Sequence, residues 1–292
     1  MGWGKITKFI ATASFSLCVL TLLPGTQSKA DSTPTCGSLV EVASVSMLSS
    51  PGGAVSIPAQ IENRDVSLTV ATGSQASLLS NEEADSLKLS RRGIGGVLFT
   101  LGGVTPKEFV IAHDVHIGHL SAAEWSFVLM PASALPAGVA GAVGADLLHS
   151  YDVDLDFGAA RLRLVSPQHC EGRVVYWTKG PVAIVPMTLD AQFHMSVSVV
   201  VDDVATRATI DTGAQQSAIS ASLFSGTLRG RAIRSLSLEG VAIANPHLTI
   251  APDAAYVPDA PQVVIGADLL RRFHAYFAYG EKRIYLTGAD AH

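Results

Sequence analysis

Basic residues, cysteines and long apolar runs are all in short supply in this sequence. Only 15% of the 292 residues are charged, and 20 Lys and Arg stand against 25 Asp and Glu. That balance supplies no basic surface for nucleic acid or for an anionic membrane. Beyond Leu23 no apolar run approaches the roughly 20 residues needed to span a bilayer. Helical periodicity is scarce as well. No G-x-S-x-G elbow occurs, so a Ser-His-Asp hydrolase has no strained serine to use. The GIGG run at 93–96 is followed by neither a helix start nor a lysine in the register of a phosphate loop. His113, His116 and His119 are spaced by three. On a strand, however, His113 and His119 share one face while His116 points away, so they make no ligand set. Neither a cofactor nor a metal is expected.

At the start of the chain, Lys5 and Lys8 precede fifteen uncharged residues, 9–23, and then come Pro24-Gly25 and the small-x-small run Ser28-Lys29-Ala30. That order is the order of a secretory signal peptide cleaved after Ala30, which assigns 1–30 to the signal. Left uncleaved, the same run would be a membrane anchor, for which it is short. Cleavage removes three lysines and no acid, leaving 17 basic against 25 acidic residues, a balance of −8. Export implies a periplasmic or extracellular protein, according to the cell envelope. Cys18 leaves with the signal. Cys36 and Cys170 are then an even pair in an oxidising compartment, which favours a disulfide over two free thiols, with geometry deciding.

The 48% apolar share can fill one large core or two small ones. Internal repetition favours two. TVATGSQASLLS at 69–80 returns as TIDTGAQQSAIS at 209–220, identical at six of twelve positions. AVGADLL at 142–148 returns as VIGADLL at 264–270. The first pair is offset by 140 positions and the second by 122, so the first copy holds 18 more residues between its motifs. The reading is a first lobe over 31–165, a linker at 166–181 with at most one short strand, and a second lobe over 182–292.

Within each lobe the local signal is β. Strands are expected at 66–70, 197–201 and 207–210. In YDVDLDFGAARLRLV, Val153, Leu155 and Phe157 alternate with Asp152, Asp154 and Asp156. A turn at Gly158-Ala159 sets Asp156 opposite Arg161 and Asp154 opposite Arg163. The three acids are therefore expected on the wet face, paired with arginine, rather than holding calcium. Short helices are expected from Asn81, over 145–149 and over 267–273. Asp146 and Asp268 are expected to act as their N-caps, and Arg229, Arg231, Arg271 and Arg272 as solvated charges.

The strand ATIDTGA at 208–214, followed by VVIGADLL at 263–270, resembles the paired motif of the aspartic peptidases. GADLL and the small lobe size are most similar to the retropepsin-like branch, and the doubling is similar to the two-lobed pepsin arrangement. The resemblance covers about 55–286. It implies an all-β fold of two tandem retropepsin-like β-barrel lobes with a cleft between them. It also implies one Asp from each lobe on a Thr-Gly turn. Two carboxyls about 3 Å apart cannot both ionise, so they share a proton and supply both base and acid for peptide hydrolysis.

Carried onto this chain, the resemblance makes Asp211 the catalytic acid, supported by Thr212 and Gly213. The matching place in the first lobe holds Ala71, with Thr72 and Gly73 retained beside it. A methyl group shares no proton. The resemblance further implies a peptide or protein ligand beneath a flap. The segment 93–115 reads as a hairpin turning at Leu101, Gly102 and Gly103, either as that flap or as an ordinary surface hairpin. Three functions fit: a pseudopeptidase that holds extended peptide without cutting it, an endopeptidase acting as a homodimer that pairs Asp211 with Asp211 of a second chain, and a monomer with residual hydrolysis from Asp211 alone.

Overall fold

The computed structural model describes residues 36–49, 53–95, 104–191, 193–253 and 260–291. The expected signal sequence at 1–30 and the expected flap tip at Leu101, Gly102 and Gly103 lie outside the described residues.

Strand dominates because β-branched and alternating runs recur along the chain, as in Val55–Ile61 and Met195–Val201. Eight strands of the first half form one sheet, and a pairing of Gln60 with His116 closes six of them into a barrel. Inside it lie Leu68, Val70, Leu79, Val110 and Phe127, all buried. The base of the expected flap is an antiparallel pair of Arg91–Gly93 with the start of Glu108–Ile117.

Both halves share one crossing. Arg64–Val70 runs parallel to Gly141–Val143, whose other side is taken by antiparallel Leu78–Ser80. The chain between residues 70 and 78 must therefore loop over the end of Gly141–Val143, and this loop is the Thr-Gly turn. In the second half Val204–Ile210, Val263–Ile265 and Ala218–Ser220 repeat the arrangement. The crossing brings backbones very close at the glycine of each apolar-apolar-Gly element. A Cβ on Gly144 would stand 2.9 Å from the Ser77 nitrogen, and one on Gly266 would stand 2.8 Å from the Ala214 oxygen.

Six strands join the halves, three from each: Glu41–Ser46, Arg161–Val165 and Asp152–Asp156, then Phe273–Ala278, Arg283–Gly288 and Ala183–Leu189. Here one expectation is corrected. The register of the hairpin is as read, with Asp156 opposite Arg161 and Asp154 opposite Arg163. The face is not wet: Asp152, Asp154 and Asp156 are buried, Asp154 completely. The segment 166–181, which contains no strand, lies over them. His169 Nε2 is 2.5 Å from Asp152, the Tyr176 hydroxyl donates to Asp154, and Trp177 stacks 4.0 Å from the His274 ring. His274 Nε2 in turn meets Asp154 at 2.6 Å, and Tyr276 donates to Asp152 at 3.1 Å. Buried acids persist because each is hydrogen-bonded.

Cys36 and Cys170 form the expected disulfide, with Cα atoms 4.9 Å apart, and it ties the covering segment to the start of the described chain. Among the described residues no helix is long and apolar enough to cross a membrane.

Candidate functional site: two Thr-Gly turns and one carboxyl

The two Thr-Gly turns meet face to face. Thr72 Oγ1 donates to the Ile210 carbonyl at 2.9 Å, and Thr212 Oγ1 donates to the Val70 carbonyl at 2.6 Å. Each backbone N–H donates to the other threonine's hydroxyl, both at 3.1 Å. Both threonines are fully buried. A serine at either place would keep the hydroxyl, whereas a valine would leave an amide and a carbonyl without partners in a dry junction.

Asp211 follows its strand into this junction and is half-buried. Its Oδ1 accepts from the Gly213 amide at 2.8 Å and from the Gly73 amide, across the junction, at 3.2 Å. A Cβ on Gly73 would stand 2.6 Å from Asp211 Oδ2, so only glycine lets the first-lobe turn approach the carboxyl. Burial raises the Asp211 pKa above the ordinary carboxylate value. The amides of Gly213, Gly73 and Ala214 and the field of His194 oppose that rise without cancelling it. Opposite Asp211, the first turn presents Ala71, whose Cβ would be 2.9 Å from a Cβ on Gly213. The junction thus holds one titratable group where its near-symmetry has room for two.

No family model and no curated protein matches the chain. Among solved structures, basic 7S globulin from soybean is similar to it, with a TM-score of 0.55 at 12% sequence identity, over 87% of this chain and 95% of that one. The fold is aspartic-protease-like. At that identity the likeness reaches the fold and stops there, so the roles of side chains in the junction rest on their own geometry.

Within this aspartic-protease-like fold the lobes also touch through a reciprocal pair of contacts. Arg271, just past the second GADLL helix, hydrogen-bonds the Gly53 carbonyl in the first lobe. Phe193 in the second lobe stacks 3.8 Å from the ring of His149, just past the first GADLL helix. Arg271 is exposed, as the sequence suggested, and it hydrogen-bonds the first lobe as well. Asp146 and Asp268 are a second correction. The N-caps are Gly144 and Gly266, and the two aspartates lie inside the helices. Asp146 accepts from the Ser77 amide at 2.9 Å and from its hydroxyl at 2.8 Å. Asp268 does the same for Ser217, at 2.9 and 2.6 Å. Each anchors the far end of its Thr-Gly loop instead of capping a helix.

Among the residues singled out from sequence, the structure brings together Ala71, Thr72, Gly73, Asp211, Thr212 and Gly213. His113 lies apart, 3.2 Å from Glu62, and no group of His, Cys, Asp and Glu among the described residues forms a metal cluster. Sequence reasoning passed over His194 and Asp190. The offset of 140 that relates Ala71 to Asp211 also relates Ala54 to His194, and that comparison would have found it.

Proposed function

We propose that this chain is an exported protein that binds extended polypeptide in the cleft between its lobes. Asp211 is then the only motif acid, and the chain's own junction cuts no peptide bond. The observation that carries the reading is the Asp211 carboxyl held by the Gly213 and Gly73 amides opposite the Ala71 methyl. Hydrolysis by two carboxyls requires a shared proton, and a lone acid has no partner with which to share it. An extended peptide lying between the lobes would bind by strand-like hydrogen bonds. Export is supported by the Cys36–Cys170 disulfide and by the cationic-then-apolar start of the sequence.

Pairing of Asp211 with its counterpart in a second chain has less support. Thr72 and Thr212 already satisfy each other within one chain, and a homodimeric junction would have to break that contact.

The test is to incubate the purified protein with unfolded polypeptide from acid to neutral pH and to measure cleavage and binding separately. The wild-type chain is expected to bind without cutting. Ala71→Asp is expected to raise cleavage by about 10³-fold or more, because members of a cooperating set act as a unit. Ala71→Asp combined with Asp211→Asn is expected to return it to background. Wild-type cleavage that rises with the square of protein concentration would establish the homodimer instead, and absence of binding would remove the peptide cleft.

A further inference from the structure

Near Asp211 stands a second ionisable side chain, one that a two-aspartate site does not contain. His194 closes the turn between Ala183–Leu189 and Met195–Val201. Where Met195–Val201 pairs with Val204–Ile210, Ser196 lies opposite Thr209. Two positions before Ser196 comes His194 and two positions after Thr209 comes Asp211, so the antiparallel register carried on sets the two opposite each other on the same side. The imidazole is held from behind. Its Nδ1 is 2.8 Å from Asp190 Oδ2, and the other Asp190 oxygen accepts from the His194 amide at 2.9 Å. That carboxylate keeps a proton on Nδ1 and leaves Nε2, which has no hydrogen-bond partner among the described residues, available to a ligand. The side chain is 35% exposed, enough to meet one. The neighbouring Phe193 lies on His149 of the first lobe, so the turn is steadied from across the junction. The charged groups set against His194 are Asp190 on its own turn and Asp211 just past the end of the adjoining strand. The charge of His194 acts on Asp211 in the direction that eases its ionisation.

We propose that His194, oriented by Asp190, is the ionisable partner of Asp211, so that the second lobe alone presents a carboxyl and an imidazole to the backbone of a bound peptide. His194 is thereby a positioning residue for the charge on Asp211 and a candidate contact through Nε2. This inference deepens the peptide-cleft reading and rests on it for its ligand, but the coupling itself is measurable with no peptide present.

The experiment is a carbon-detected NMR titration of the Asp211 carboxyl in the purified chain, repeated with His194→Gln and with the distant His113→Gln. His194→Gln is expected to move the Asp211 midpoint upward by about half a pH unit, the effect of removing one positive charge at short range in a wet protein. His113→Gln is expected to leave it in place. Should His194→Gln fold poorly, Asp211→Asn read at the His194 ring signal reports the same coupling from the other side. An Asp211 midpoint unmoved by His194→Gln, or moved equally by His113→Gln, overturns the pairing. Peptide binding measured beside it separates the two failures. Coupling without binding sinks the cleft reading, and binding without coupling sinks only the partnership.

Discussion

At and beside the Thr-Gly junction the second half of the molecule carries His194 and Asp211 where the first half, 140 positions earlier, carries Ala54 and Ala71. On the buried face of the joining sheet the distribution is reversed. There the first half carries Asp152, Asp154 and Asp156, and the second half, 122 positions later, carries His274, Tyr276 and Ala278. Two copies of one fold have thus divided their ionisable groups in opposite senses at two places. In the sheet the reason is plain: three acids from each half would set six carboxylates on one buried face and remove the His274 and Tyr276 donors that meet them. As built, Asp156 lies opposite His274 and Asp154 opposite Tyr276, so acids of one half meet donors of the other. The division joins acids to donors across the sheet, and at the Thr-Gly junction it leaves the ionisable groups to one half alone.

Beyond Ala71→Asp, which restores symmetry at the cleft, the largest expected effect comes from removing an acid at the sheet. Asp154 receives His274 at 2.6 Å, Arg163 at 3.2 Å and the Tyr176 hydroxyl, with no exposure of its own. Asp154→Ala leaves those donors buried and unmatched, and is expected to cost about 3–5 kcal/mol by denaturant unfolding. A loss under 1 kcal/mol would mean that the acids are no cement between the halves.

The two threonines make the same contacts from either half, and they predict equality. Thr72→Val and Thr212→Val each strip two reciprocal hydrogen bonds from a buried junction. Each is expected to cost about 2 kcal/mol in the same unfolding measurement. Values differing by more than that would show that the junction is less symmetric than its distances.

A third prediction concerns pH. Burial alone would lower the His169 pKa, but the hydrogen bond and charge of Asp152, with the Cys170 carbonyl and Glu281, raise it above the ordinary imidazole value. Burial likewise pushes the Asp152 carboxyl up against its hydrogen bonds. The pair therefore holds its proton to higher pH than either group would in the unfolded chain. For a group whose folded pKa is raised, the stabilisation is complete below the unfolded value, about 6.5 for histidine, and is lost as pH rises through the folded value. Stability should thus fall from neutral towards alkaline pH. His169→Gln is expected to flatten that slope, and an unchanged slope would place the alkaline sensitivity elsewhere.

Much of this was legible in the residues, and what was not shares a cause. The all-β fold and the Thr-Gly junction could be read because both copies spell their turns and glycines out in contiguous motifs. The burial of Asp152, Asp154 and Asp156 could not. A strand alternating apolar and acidic residues looks the same whether water or residues 166–181 cover its polar face. Asp146 was misread for a related reason: an acid in a helix's first turn satisfies a local rule, while Ser77 lies 69 positions away. His194 lies outside every motif and reaches the neighbourhood of Asp211 only through strand pairing.

The smallest expected effect tests whether the first half-site is dry behind Ala54 and Ala71. Ser56 and Thr69 lie opposite each other in the Val55–Ile61 and Arg64–Val70 pair, in the places that Ser196 and Thr209 occupy in the second half. Ser196 has partners, since its hydroxyl meets Thr188 at 2.8 Å and also accepts from Arg207. The hydroxyls of Ser56 and Thr69 are buried and have no hydrogen-bond partner among the described residues. A dry hydroxyl without a partner costs more than the methyl that would replace it. Thr69→Val is therefore expected to be neutral or to stabilise by up to about 1 kcal/mol, which the unfolding midpoint would register. A loss of 1 kcal/mol or more would mean that these hydroxyls are satisfied after all, by a bound water or by each other. The first half-site would then be polar behind its two alanines.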